Sequence, residues 1–183
     1  MRRNDEIATK YEIWCESISQ DRVGSKQWFC HRVNEIYEKM IIPYAPENPI
    51  PVDETELMQT VIWWEVFSVK QCADNYYYLT GKSLYQVLPK ILTNKNRDYS
   101  WDENAFDNLE LCESIWIEAV TGIKVRMCDK VSRIRNLVNK EPAVAGESLA
   151  DTWLDLAWYL TLLYLYEEYV SNKWLQNPQT NQN

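Results

Sequence analysis

The chain has 183 residues, 46% hydrophobic and 13% aromatic, with a formal net charge of -8. This length and apolar content bound it to one cored domain, or one domain with a small appendage, and exclude a disordered chain. The acidic balance excludes broad, nonspecific nucleic-acid binding, which needs a basic surface, but leaves room for a local nucleotide site.

Four glycines are few for turn-rich β structure, so an all-α fold is predicted. Cys15, Cys30, Cys72, Cys112 and Cys128 form no CxxC pair, and His31 is the single histidine, which argues against a zinc site of the usual spacing. Scattered thiols fit a reducing compartment, so a cytoplasmic protein is expected. Met1-Arg2-Arg3 leads into Asn4-Asp5-Glu6 rather than an apolar run, so no secretory signal is read.

In chain order, 12–19 reads as a short helix. Residues 25–40 read as a second, with Trp28, Val33, Ile36 and Tyr37 apolar. Pro43, Pro46, Pro49 and Pro51 exclude helix from 41–51 and make it an extended connector. Asp53 is read as the cap of a long helix over 54–79, with Leu57, Val61, Trp64, Phe67, Ser68 and Cys72 on one face, ended by Gly81. Trp63-Trp64 and Tyr76-Tyr77-Tyr78 put aromatics all round it. That helix should therefore lie at the bundle centre or against a second subunit.

A short helix follows over 83–92, then a polar, irregular stretch over 93–107, then a helix over 108–120. Residues 122–139 read as a strong helix with an apolar stripe of Val125, Cys128, Val131, Ile134 and Val138. After a loop at 140–146, the last helix runs over 147–173. The stretch 153–170 is apolar enough to suggest a membrane span, but Asp155, Glu167, Glu168 and its tyrosines make it a core helix. The last two helices should pack as a C-terminal antiparallel hairpin in a helical bundle. The chain divides into N-terminal helices and connector (1–52), the main bundle (53–175) and a frayed tail (176–183).

Glu147, Asp151 and Asp155 recur every four residues in an otherwise apolar segment and share one slowly drifting helical stripe. Like charges at this spacing repel, and burying them unpaired costs more, so something positive should face them. Magnesium is one candidate, because it takes hard carboxylate oxygens together with substrate phosphates. Asp129 on the preceding helix and Glu113, with Glu110 three residues before it, are further candidate ligands. Arg126, Lys130 and Arg133 surround Asp129 at helical spacing and suit phosphate oxygens. The plainer reading is that these acids and bases pair across the hairpin. A Cys30–His31 nucleophile is rejected, since sequence neighbours do not face each other on a helix.

Four blocks carry a resemblance: Lys95-Asn96-Arg97-Asp98-Tyr99-Ser100, Ala105-Phe106-Asp107-Asn108-Leu109, the segment 125–137, and the segment 147–159. Together they resemble the phage-associated "nucleotide modification associated domain" proteins. More remotely, they are similar to the MazG-like all-α nucleoside triphosphate pyrophosphohydrolases. The likeness covers residues 90–170 and does not extend to the N-terminal half.

The resemblance implies a magnesium-dependent enzyme of phage nucleotide metabolism, working in the host cytoplasm as a homo-oligomer, dimer or tetramer. Glu147, Asp151 and Asp129 would hold the metal, with Asp155 or Glu113 orienting water for attack on the α-phosphorus. Arg126, Lys130 and Arg133 would hold phosphate and Lys95 would also bind the nucleotide, while Asp98, Tyr99 and Asn108 would meet base or ribose, with Tyr99 and Trp101 as stacking faces. The pattern departs from the hydrolases where Ser148 replaces a second acid and where Asp129 stands without a partner acid on its helix. Two alternatives therefore stand beside the hydrolase. One is a phage protein that binds and sequesters a nucleotide without turnover. The other is a structural helical interaction protein whose acids pair with Arg126, Arg133 and Arg135.

Overall fold

The computed structural model describes residues 23–38, 58–62, 65–100, 103–140, 142 and 147–176. The helix expected at 12–19, the proline-rich connector, Asp53, Trp63, Trp64, Trp101 and the last seven residues lie outside the described residues. The described fold is mostly helical, as the composition predicts. Among the described residues no helix is long and apolar enough to cross a membrane.

Helix α1 spans Lys26–Glu38, and Ser25 Oγ accepts from the Trp28 amide at 3.2 Å to cap it. The long helix expected over 54–79 is instead an antiparallel pair, β1 (Gln59–Ile62) and β2 (Glu65–Ser68), followed by helix α2 (Val69–Thr80). Ile62 and Phe67 are buried while Val61 and Val66 are exposed. This β-branched and aromatic stretch alternates in burial as strands do, with Val61 directly opposite Val66. Ser68, expected inside the helix, is its N-cap, accepting from the Gln71 amide at 3.2 Å. Gly81 closes α2 as expected, at φ 67°.

Helix α3 (Leu84–Tyr99) runs a further seven residues past its expected end, through the polar stretch read as irregular. Asn96 is the reason: it is buried, and its Nδ2 donates to the Ala105 carbonyl at 2.7 Å. A polar side chain with a tertiary partner therefore holds the helix where the apolar pattern has faded. The helix expected over 108–120 is a short α4 (Asp107–Glu110) and a 3-10 turn (Leu111–Ile115) that ends at Trp116 in the left-handed conformation, φ 65°.

Helix α5 (Ala119–Leu137) starts three residues before the expected position. Its buried stripe is Ala119, Ile123, Met127, Val131 and Ile134, whereas Val125, Cys128 and Val138 are exposed. The earlier start adds Ala119 to the inner face, which Ile123 and Met127 continue at helical spacing.

Helix α6 (Leu149–Gln176) is the centre of the fold. Leu156, Ala157, Leu160, Thr161 and Leu165 are almost wholly buried, and the helix packs chiefly against α5 and α2. It takes the central place expected for residues 54–79, because it is apolar on nearly every side. Lys130 on α5 pairs with Asp155 on α6, and Arg133 with Glu147 just before α6.

Phe106 fixes the segment between α3 and α4. It is fully buried among Phe29, Tyr166 and Tyr169, with ring centroids 5.7, 5.4 and 5.1 Å away. The Ala105 amide also donates to the Gly24 carbonyl at 2.7 Å. These contacts set the position of Asn108 two residues later.

Candidate functional site

A cavity of about 440 Å³ lies between α3, the α4–turn segment, α5 and α6. Its size falls within the roughly 300–1,000 Å³ common for small-molecule sites. Helix α5 gives it a graded wall. Ala119, Gly122 and Ile123 line the first turns, and Arg126 and Lys130 follow on the same stripe. Leu109 and Cys112 face the apolar part, where Cys112 Sγ lies 3.0 Å from the place a Gly122 side chain would occupy. The absence of a Cβ at Gly122 thus lets the 3-10 turn close on α5.

The polar part centres on Asp155. Lys130 Nζ donates to Oδ2 at 2.8 Å and Lys95 Nζ to Oδ1 at 3.3 Å. Lys95 also sits 3.9 Å from the centre of the Trp158 ring, a cation–π contact. All these side chains are partly buried, so their charges are less screened than surface pairs. Arg126 lines the same cavity and makes no ion pair among the described residues. Three cations against one carboxylate leave two positive charges in excess, in a protein whose net charge is -8. The Tyr159 phenol borders this charge. Burial, the largest influence, raises its pKa; Arg126 and Lys130 oppose that, while Asp155 and Tyr99 reinforce it.

Lys95, Tyr99, Asn108, Arg126, Lys130 and Asp155, all singled out from the sequence, therefore meet in one cavity. The other candidates do not line it. Asp98 is exposed on α3 beside Arg97, with 3.5 Å between the charged groups. Arg133 holds Glu147 through both the carboxylate and, at 2.9 Å, the main-chain carbonyl. That pair matches the plainer reading of acids and bases joined across the two helices.

Asp151 accepts from the Ser148 amide at 2.9 Å and from its hydroxyl at 2.7 Å, while Ser148 Oγ accepts from the Asp151 amide at 3.1 Å. This reciprocal pair is a capping box for α6. It gives Ser148 a structural role at the start of α6. Asp129 is exposed on α5. Glu113 is exposed on the 3-10 turn, and its charge, with that of Glu110, adds to the burial that raises the Tyr166 pKa. Glu110 itself accepts from Asn104 Nδ2 at 2.7 Å.

Asp155 is occupied by two lysines, Asp151 by its own helix start and Glu147 by Arg133. Among the described residues no three His, Cys, Asp or Glu side chains gather as a metal-ligand group. The acids as arranged do not fit the expected magnesium cluster.

The sequence reading missed Trp158, Tyr159, Leu109, Cys112, Ala119, Gly122 and Ile123 as cavity residues. Trp158 and Tyr159 follow Asp155 by three and four residues, the helical spacing that marks a shared face. That signal was present in the sequence. No family model matches the chain, and neither curated proteins nor solved structures include a significant match.

Proposed function

We propose that this protein binds a nucleotide in the cavity between α3, α5 and α6, without needing to hydrolyse it. One observation carries the reading: Lys95 and Lys130 meet on the Asp155 carboxylate, and Arg126 lines the same partly open, partly apolar pocket. Such a site neutralises a phosphate through side-chain donors and offers Leu109, Ile123, Trp158 and Tyr99 to a planar ring. The resemblance to phage nucleotide-modification proteins supplies the ligand class. The α5–α6 contacts support the antiparallel hairpin of the MazG-like fold that goes with it.

The pyrophosphohydrolase is the second reading, favoured by the presence of Asp155 inside the cavity. Both readings are separated by incubating the protein with a panel of nucleoside triphosphates and magnesium, following products and binding together. Saturable binding with intact nucleotide supports the first. Pyrophosphate release that disappears in Asp155→Asn supports the second. Neither signal leaves a structural helical protein. The resemblance also implies self-association, which the exposed Leu111, Ile115 and Trp116 support and which sedimentation equilibrium tests.

A further inference from the structure

Resting on the nucleotide reading above, we infer that the ligand is a nucleoside monophosphate and that its phosphate is held by side-chain cations without a divalent metal ion. Charge is the first argument. The cavity carries two positive charges in excess, and a phosphate monoester brings roughly -1.5 to -2 at neutral pH. One such group neutralises the site. A triphosphate carries more charge than these residues balance and ordinarily travels with its own magnesium.

The second argument is what the carboxylates are doing. A metal-bridged triphosphate needs free acid oxygens beside the phosphates. Both oxygens of Asp155 accept from lysines, at 2.8 and 3.3 Å. Asp151 Oδ2 accepts from Ser148 and the Glu147 carboxylate is paired with Arg133, and neither acid lines the cavity. Asp155 here works as a positioning residue. It holds two ammonium groups side by side that would otherwise repel, and leaves their remaining N–H donors to an incoming anion.

The third argument is shape. Arg126 and Lys130 lie on one α5 stripe beyond Ala119, Gly122 and Ile123, so anionic and apolar parts of a ligand are bound in line. A cavity of about 440 Å³ with one charged end and one apolar end suits one phosphate joined to one planar group. Cys112 closing on Gly122 limits the apolar end.

The test is isothermal titration of the full chain with nucleoside monophosphates, with their triphosphates and with inorganic phosphate, each in EDTA and in magnesium. Monophosphate affinity should be the same within about twofold in the two solutions. It should fall at least about tenfold in Arg126→Gln, the weakening expected for one lost charge-assisted contact. Arg126 makes no ion pair among the described residues, and an unchanged melting temperature establishes that the variant folds. Lys130→Met gives an independent loss should Arg126→Gln melt early.

Nucleotide binding that needs magnesium, or triphosphate binding tighter than monophosphate, overturns the inference and leaves the nucleotide reading standing. Inorganic phosphate binding as tightly as the nucleotides also overturns it, since the planar group would then contribute nothing. A folded protein that binds no nucleotide in either solution overturns the nucleotide reading itself.

Discussion

Lys130 Nζ lies 2.8 Å from Asp155 Oδ2, joining the middle of α5 to the first turns of α6. The contact is partly buried on both sides, and the opposite oxygen of the same carboxylate meets Lys95 on α3. One acid thus ties three helices together at the cavity wall. It also explains why an acid can sit in this apolar helix: its charge is more than balanced by what faces it.

A double-mutant cycle measures that tie. Lys130→Met and Asp155→Asn should each lower stability in urea unfolding. Their coupling energy should be about 1 kcal/mol, at the upper end for a partly exposed pair. A coupling indistinguishable from zero would show that the two groups do not interact in solution.

Asp151 caps the start of α6 through Ser148. Asp151→Ala should therefore cost about 1 kcal/mol of stability, the usual loss for a helix cap. Nucleotide affinity should be unchanged in titration calorimetry. A variant of normal stability with abolished binding would return Asp151 to the functional site.

Gly24 has φ +89°, and a Cβ there would lie 2.3 Å from a Tyr169 ring carbon. Backbone and packing both oppose a side chain, so Gly24→Ala should destabilise by about 2 kcal/mol. The Gly24 carbonyl also anchors Ala105, which leads into Phe106 and Asn108. Thermal unfolding gives the stability change. An unaltered melting temperature would show that this turn is free to rearrange.

Burial raises the pKa of Cys72 above its ordinary 9.0, and those of Tyr37, Tyr85 and Tyr166 above their ordinary 10.0. The unfolded chain therefore releases these protons at a lower pH than the folded protein. Above its ordinary pKa each group binds fewer protons unfolded than folded, so stability falls as pH rises. Denaturant midpoints should decline from about pH 9 and more steeply above about pH 10. Cys72→Ala should flatten the first part of that decline. A flat profile to pH 11 would mean these side chains are solvated in the native state.

The helices with strong periodic signals were legible from their residues. Gly81 marked an end, Ser25 a start, and the α5 and α6 segments appeared within a few residues of their bounds. Three readings failed for identifiable reasons. Residues 59–68 carry apolar side chains compatible with either helix or strand, and pairing between Val61 and Val66 decided for strand. Residues 93–99 have little apolar pattern, yet buried Asn96 extends α3 through them. Trp116 breaks the next helix by adopting φ 65°, which no short-range pattern announces in a tryptophan.

By itself the sequence determined that this chain is mostly helical, that its last helix is its most apolar, and that acids and bases face one another near that helix. Local periodicity and composition carry such information because they act within a few residues. Which acid meets which base was decided only by the tertiary structure. Asp151 turned to its own helix end, Glu147 to Arg133, and Asp155 to Lys95 and Lys130, residues 60 and 25 positions away. The spacing of four put the three carboxylates on one stripe, but their partners arrive from different helices. Those helices are placed by the packing of Phe106, Trp158 and the α6 core, which no stretch of sequence specifies alone.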